Sequence, residues 1–283
     1  MRIGPPVAAI AAAIIVSATA AEPPSTDVDG LLARVAQRVE AYFARAQSII
    51  CLETVRLQRL TPDLVPEGFA RRLEYDLHVS WEPAIDPDSV PKANMHRELR
   101  AVNGRTPRTG DEPECLDPKP VSLDPLEFLL PGHQGEYTFT YKGLDRVARR
   151  DAARLEYVVT HPGPPEATWQ DTCVTLSLPA RTKGRVWIDV ASGDVLRLEE
   201  HMQGPHDVAV PHDARRFGGE SWLTFERGDF AIRYKPVTFS DPDEIVMLPE
   251  STESTSVARG SRLRITRTFS DYRRFVTDVK IVR

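Results

Sequence analysis

Apolar residues early in the chain fall three and four apart: Leu31, Leu32, Val35, Val39, Tyr42, Phe43 and Ala46. This spacing lays them along one stripe of an α-helix over residues 28–48, with Arg34, Arg38, Glu40 and Arg45 mainly off the stripe. Asp27 or Asp29 can cap its first turn. From residue 49 onward the period shortens to two. The clearest case is FARRLEYDLHVSWE, where Phe69, Leu73, Tyr75, Leu77, Val79 and Trp81 share one face and Arg72, Glu74, Asp76, His78, Ser80 and Glu82 the other. About thirteen residues at roughly 3.3 Å each make a strand of about 43 Å, beyond the usual globular length. Such a strand points to a large curved sheet with one dry face and one wet face.

Further strands are expected at 49–60, 97–102, 137–142, 152–160 and 173–178, and a hairpin at 184–201 that turns on Ala191-Ser192-Gly193-Asp194. The series continues at 220–226, 229–239, 244–248, 253–257 and 261–268, with an extended tail after it. Asn103-Gly104 marks a tight turn, residues 106–124 and 161–171 read as loops, and DPLEFLLPG reads as a short helical turn closed by Pro131 and Gly132. Strands and helices do not alternate, no fixed repeat recurs, and no linker divides the series. The expected fold is mainly β (α+β): a single large curved antiparallel sheet, a half-barrel of about ten or eleven strands, with the N-terminal amphipathic helix packed on it.

The start of the chain adds a compartment. Arg2, the apolar run 7–16 and Ala18-Thr19-Ala20 have the layout of a secretory signal with its cleavage site. On this reading residues 1–20 are a signal peptide, 21–28 a polar tether and 29–283 a single β-rich domain. The chain has 283 residues, 41% hydrophobic, which is enough to bury a sizeable core once the signal is gone. No later apolar run approaches the ~18 residues of a membrane helix, so a periplasmic or secreted protein without a transmembrane anchor is expected. A net charge of −5 gives no electrostatic reason to seek nucleic acid. Three cysteines in an oxidising compartment can pair in three ways. Cys115 with Cys173 is the expected disulfide, since each borders a proline-containing loop that a staple would constrain, and Cys51 then packs as a small hydrophobe.

Chemistry is harder to find. The serine-hydrolase elbow, the phosphate loop, the dinucleotide fingerprint, H-E-x-x-H and paired C-x-x-C are all absent from the sequence, so no catalytic residue is assigned and no cofactor is called for. In HMQGPHDVAVPHD, His201, His206 and His212 stand with Asp207 and Asp213, residue types that suit a transition metal, but without zinc-finger or helical spacing. They are weak metal candidates against a solvated loop. Asp86-Pro87-Asp88 and Asp241-Pro242-Asp243-Glu244 read as turns rather than calcium loops. The aromatic alternation has two readings. Trp81, Tyr75, Trp187, Phe230, Tyr234 and Phe269 either fill the space between sheet and helix or line an apolar cavity, because a sheet of this size has more inner face than one helix covers.

The leading helix, the long antiparallel strands, the hairpin GRVWIDVASGDVLRLE and the closing FSDYRRF together resemble the periplasmic lipoprotein-carrier superfamily, the LolA-like and LppX-like fold. They also resemble secreted bacterial proteins of the same shape. The best local element is Trp187-Ile188-Asp189, the Ser192-Gly193-Asp194 turn and the returning 195–198. The resemblance implies a half-open barrel that holds lipid chains against its concave face under a helical lid. The leading expectation is a non-enzymatic exported protein that binds or carries a hydrophobic or lipid-like ligand there. Its wall residues would be Tyr75, Leu77, Val79, Trp81, Trp187, Phe230, Ile232 and Tyr234. The alternatives are a cell-envelope scaffold or protein-interaction module with a filled core, docking an envelope protein on a strand edge or loops, and third a hydrolase with a dispersed site.

Overall fold

The computed structural model describes residues 27–46, 48–82, 92–111, 124–161, 163–164, 166–170, 173–177, 182–213, 215, 221–240 and 242–274. The expected signal, most of the tether, Cys115 and the Asp86-Pro87-Asp88 turn lie outside them. No helix among the described residues is long and apolar enough to cross a membrane.

Helix α1 (Val28–Arg45) starts where Asp27 accepts a hydrogen bond from the Gly30 N–H at 3.0 Å. It buries the expected stripe from Leu31 to Phe43. The helix ends three residues before the expected point, because Ser48 takes a left-handed conformation (φ 55°) that turns the chain into the sheet. The strands are β1 (Ile49–Leu60), β2 (Pro66–Glu82), β3 (Lys92–Val102), β4 (Tyr137–Val147), β5 (Arg150–Val159), β6 (Glu166–Gln170), β7 (Cys173–Ser177), β8 (Thr182–Asp189), β9 (Val195–Met202), β10 (His206–Ala209), β11 (Trp222–Ser240), β12 (Asp243–Ala258) and β13 (Ser261–Arg274). Between β3 and β4 lie a 3-10 segment, Asp124–Leu129, and the short helix α2 (Pro131–Gln134).

Eleven strands form one antiparallel sheet in the order β3-β2-β1-β13-β12-β11-β9-β8-β5-β4, with β10 paired to the start of β11 beside β9. The sheet does not close, since β3 and β4 are its two edges. β6 and β7 form a separate hairpin. Three local readings change. Residues 220–239 and 244–257, each read as two strands, run as the single long strands β11 and β12: a register shift at Phe225/Arg227 lies at the break read in β11, and one at Arg233/Tyr234 lies opposite Pro249 in β12. The histidine-rich loop contains β10, because His206 to Ala209 pair with Phe225 to Trp222. The loop 161–171 holds β6.

The connection from β3 to β4 joins the two edges of the open sheet, and it carries the 3-10 segment across the inner face beside α1. Sheet, helix and crossing segment share one core: Leu32, Val35, Val39 and Phe43 from α1, Leu126, Phe128 and Leu129 from the crossing, and inward residues of the sheet strands. The inner face of an open sheet is thus roofed by one helix and one connection instead of a second sheet.

Candidate ligand-binding site

Strand alternation decides which expected wall residues reach this interior. Leu77 and Val79 on β2 and Ile232 and Tyr234 on β11 lie in the shared core, and half-buried Phe230 packs against it. Tyr75 lies on the same strand face but in a second patch with Val55, Leu73 and Val102. Trp187 does not reach the interior. Its neighbours Val186 and Ile188 point in, so Trp187 points out, where it packs with Ala152 and Leu196. There Arg197 covers its ring at 4.9 Å and its Nε1 donates to Asp145 at 3.1 Å. Trp81 pairs with Ala93 through its backbone, and its side chain lies outside the described residues.

A row of charge crosses the inner face between the two apolar patches. Glu53 on β1 is fully buried and accepts two hydrogen bonds from Arg97 of β3, at 2.6 and 2.9 Å, with Arg267 of β13 at 3.5 Å. Each of the three stands two residues from a member of each patch: Cys51 and Val55, Met95 and Leu99, Phe269 and Ile265.

Inside the main patch the local pattern left several groups unassigned. Tyr157 on β5, Gly184 on β8 and Glu200 on β9 stand in one cross-strand row. Gly184 has no side chain to block the ring of Tyr157, and a Cβ there would lie 1.9 Å from Tyr157 Cζ. The ring therefore lies across β8, and its hydroxyl donates to Glu200 Oε1 at 2.7 Å. Phe128 of the crossing segment stacks on this ring, centroid to centroid 4.1 Å, with Tyr137 and Phe139 of the edge strand beside it. Burial raises the Glu200 carboxyl above the ordinary carboxylate range, against the lowering effect of the Tyr157 hydrogen bond and of His201. The Tyr234 hydroxyl is buried in the same interior without a hydrogen-bond partner among the described residues, and burial with the nearby Glu200 raises its pKa. Cys51 is a free buried thiol, pushed up to about 12 mainly by burial. Cys173 is disulfide-bonded, and its expected partner Cys115 lies outside the described residues. The sequence carried one signal for this cluster: Leu198 faces in, so Glu200 two residues on must do the same.

Beside the C-terminal half of α1 lies a cavity of about 300 Å³, lined by Arg38, Arg45, Arg150 and Asp194 with Tyr42, Val246 and Met247. The turn after β8 builds one wall. Asp189 accepts from the N–H groups of Ala191 and Ser192 at 2.9 and 2.7 Å and from Arg150 Nε at 2.6 Å. Gly193 takes φ 77°, and a Cβ there would come within 3.4 Å of the Arg34 carbonyl, so the turn lies close against α1. The histidines do not converge. His201 pairs with Asp229 at 2.9 Å, His206 is buried on β10 and His212 is exposed. No three His, Cys, Asp or Glu side chains among the described residues are placed to hold a metal ion.

No protein-family model and no curated protein matches the chain. Among solved structures it is similar to a putative outer membrane lipoprotein-sorting protein domain from Vibrio parahaemolyticus, at 12% identity over 89% of this chain and 94% of that one, with a TM-score of 0.39. A LolA superfamily protein from Nitrosomonas europaea matches at 10% identity over 87% and 94%, with a TM-score of 0.34. A DUF1329 family protein from Desulfovibrio piger matches at 10% over 88% and 94%, with a TM-score of 0.37. Overlaps of this size say nothing about ligand or activity.

Proposed function

We propose that this chain is an exported, non-enzymatic protein that holds a hydrophobic or lipid-like ligand between its curved sheet and helix α1. The observation that carries the reading is the Tyr234 hydroxyl, buried beside the Glu200 carboxyl without a hydrogen-bond partner among the described residues. A polar group left unmade in a core costs about 1–3 kcal/mol. The chain's own roof does not satisfy it, whereas an amphiphile with a hydroxyl or carbonyl near its chains would. The roof is also separable from the sheet. Helix α1 is joined to β1 by a short turn, and the Phe128 plug belongs to the connection that spans the two open edges.

Binding then exchanges one apolar cover for another. Acyl chains take the place of Phe128 and part of the α1 stripe, and burial of about 25 cal/mol per Å² on each side nearly balances, so the polar contacts decide the outcome. The mature protein, stripped of bound lipid, should take up one fluorescent fatty acid per chain in a saturable titration, and monoacylglycerol should displace it. A well-folded protein that shows no saturable uptake would overturn the reading.

A further inference from the structure

The cavity beside α1 has a charge pattern that a purely hydrophobic ligand does not need. Three arginines and one aspartate line it. Arg150 spends Nε on Asp189 and Nη2 on Ser192 and Asp194, but Nη1 meets only the thioether of Met247 at 3.7 Å, a weak acceptor. Arg38 uses Nε on the Ser192 carbonyl at 2.7 Å, and its two terminal nitrogens have no hydrogen-bond partner among the described residues. Arg45, two helical turns further along the same face, meets only Glu244 at 3.7 Å, and Glu244 is already paired with Arg274. Three guanidinium groups therefore line one hollow, and its carboxylate, Asp194, is ion-paired with Arg150 at 3.1 Å and lies 3.9 Å from Arg38 Nε. Beneath them the floor is apolar, formed by Ala41, Tyr42, Val246 and Met247, with Ile245 exposed at the rim.

We propose that Arg38, Arg45 and Arg150 form the site for the anionic group, a phosphate or a carboxylate, of an amphiphile whose chains lie under α1. This assignment rests on the hydrophobic-ligand reading above and adds the head to the chains. Guanidinium groups suit it because each offers paired N–H donors in the geometry of a phosphate or carboxylate. The floor continues the apolar surface from the cavity toward the interior, since Tyr42 and Val246 belong to both.

The test is calorimetric titration with three probes: dioctanoyl phosphatidylglycerol, dioctanoylglycerol with the same chains and no charge, and glycerol 3-phosphate with the charge and no chains. The intact protein should prefer the charged lipid over the uncharged one by about tenfold, the scale of one charge-assisted hydrogen bond at a half-exposed site. The double variant Arg38→Gln/Arg45→Gln should lose that preference and keep its affinity for dioctanoylglycerol. Because Arg38 also holds the turn after β8, Ile245→Glu serves as the second variant. It leaves every arginine in place, puts a carboxylate at the rim, and should weaken only the charged lipid. Equal affinity of the intact protein for the two lipids would overturn the headgroup site while leaving the hydrophobic reading standing. Binding of neither lipid would overturn both. Glycerol 3-phosphate bound as tightly as the charged lipid would assign the arginines to a free anion and overturn the amphiphile.

Discussion

Replacing Tyr234 by phenylalanine removes one oxygen and leaves the ring in place. The residue is 6% exposed, and its hydroxyl has no hydrogen-bond partner among the described residues. An unsatisfied buried hydroxyl costs about 1–3 kcal/mol, so its removal should stabilise the empty protein by about 1–2 kcal/mol after allowance for relaxation. For a domain of this size that corresponds to a rise of about 2–8 °C in Tm, since 1 kcal/mol moves Tm by roughly 2–4 °C. The contrast is Tyr157→Phe, which deletes the donor at 2.7 Å to Glu200 and should lower stability by about 1–3 kcal/mol. Scanning calorimetry of both variants, stripped of lipid, reads the two signs directly. The variant stabilised without ligand should also gain less from ligand: lipid should raise Tm less in Tyr234→Phe than in the parent. A Tyr234→Phe protein that melts below its parent would show that the hydroxyl is satisfied in the native state, and the polar interior would lose its role as a ligand contact.

Glu200 supplies a pH test. Its folded pKa is raised, so between the ordinary carboxylate range and that folded value the folded protein keeps a proton that the unfolded chain has released. Its stabilising contribution is fully present at acid pH and is lost as pH rises through the folded value, whereas Glu200→Gln stays neutral throughout. The stability of the parent relative to Glu200→Gln should therefore fall as urea midpoints are taken from below the ordinary carboxylate range up to neutral pH, and a constant gap would contradict the assignment. Glu53→Gln removes the buried negative charge and one of the two acceptor oxygens that face Arg97 and Arg267, and should cost about 3–5 kcal/mol in urea unfolding; a loss below about 1 kcal/mol would show that the charge row is not a paired unit. Trp187→Ala should cost about 3–5 kcal/mol of stability and leave lipid affinity unchanged, because the ring packs on the outer face; weaker binding in a variant that still folds would return Trp187 to the wall.

The large features were legible because each is encoded locally. The Asp27 cap and the three-and-four spacing fix α1, and Ala191 to Asp194 fix the hairpin turn. Alternation from Leu73 to Val79 fixes the buried face of β2, but Phe69, expected on that face, is fully exposed where β2 shifts register against β1. Trp187 was misplaced for a physical reason: Val186, Trp187 and Ile188 are all apolar and all buried, so alternation cannot say which of them faces the helix. The breaks read into β11 and β12 came from polar and proline residues that a register shift accommodates. Tyr157 and Glu200 meet only because β5, β8 and β9 lie side by side with Gly184 between them. That pairing spans 43 residues of sequence and leaves no spacing to find. The same holds for Phe128, whose DPLEFLL segment announces a turn but not the aromatic cluster it lands on. The arginine cavity draws on α1, β5, the hairpin turn, β11 and β12, five segments brought together only by the fold.

The most direct measurement of the central claim is native mass spectrometry of the mature protein purified from the exported fraction, followed by organic extraction and lipid analysis. The account predicts a stoichiometric adduct of lipid mass that extraction removes and a lipid mixture restores. A clean mass for the bare chain, unchanged after incubation with that mixture, would contradict it and assign the roofed sheet to a packed core.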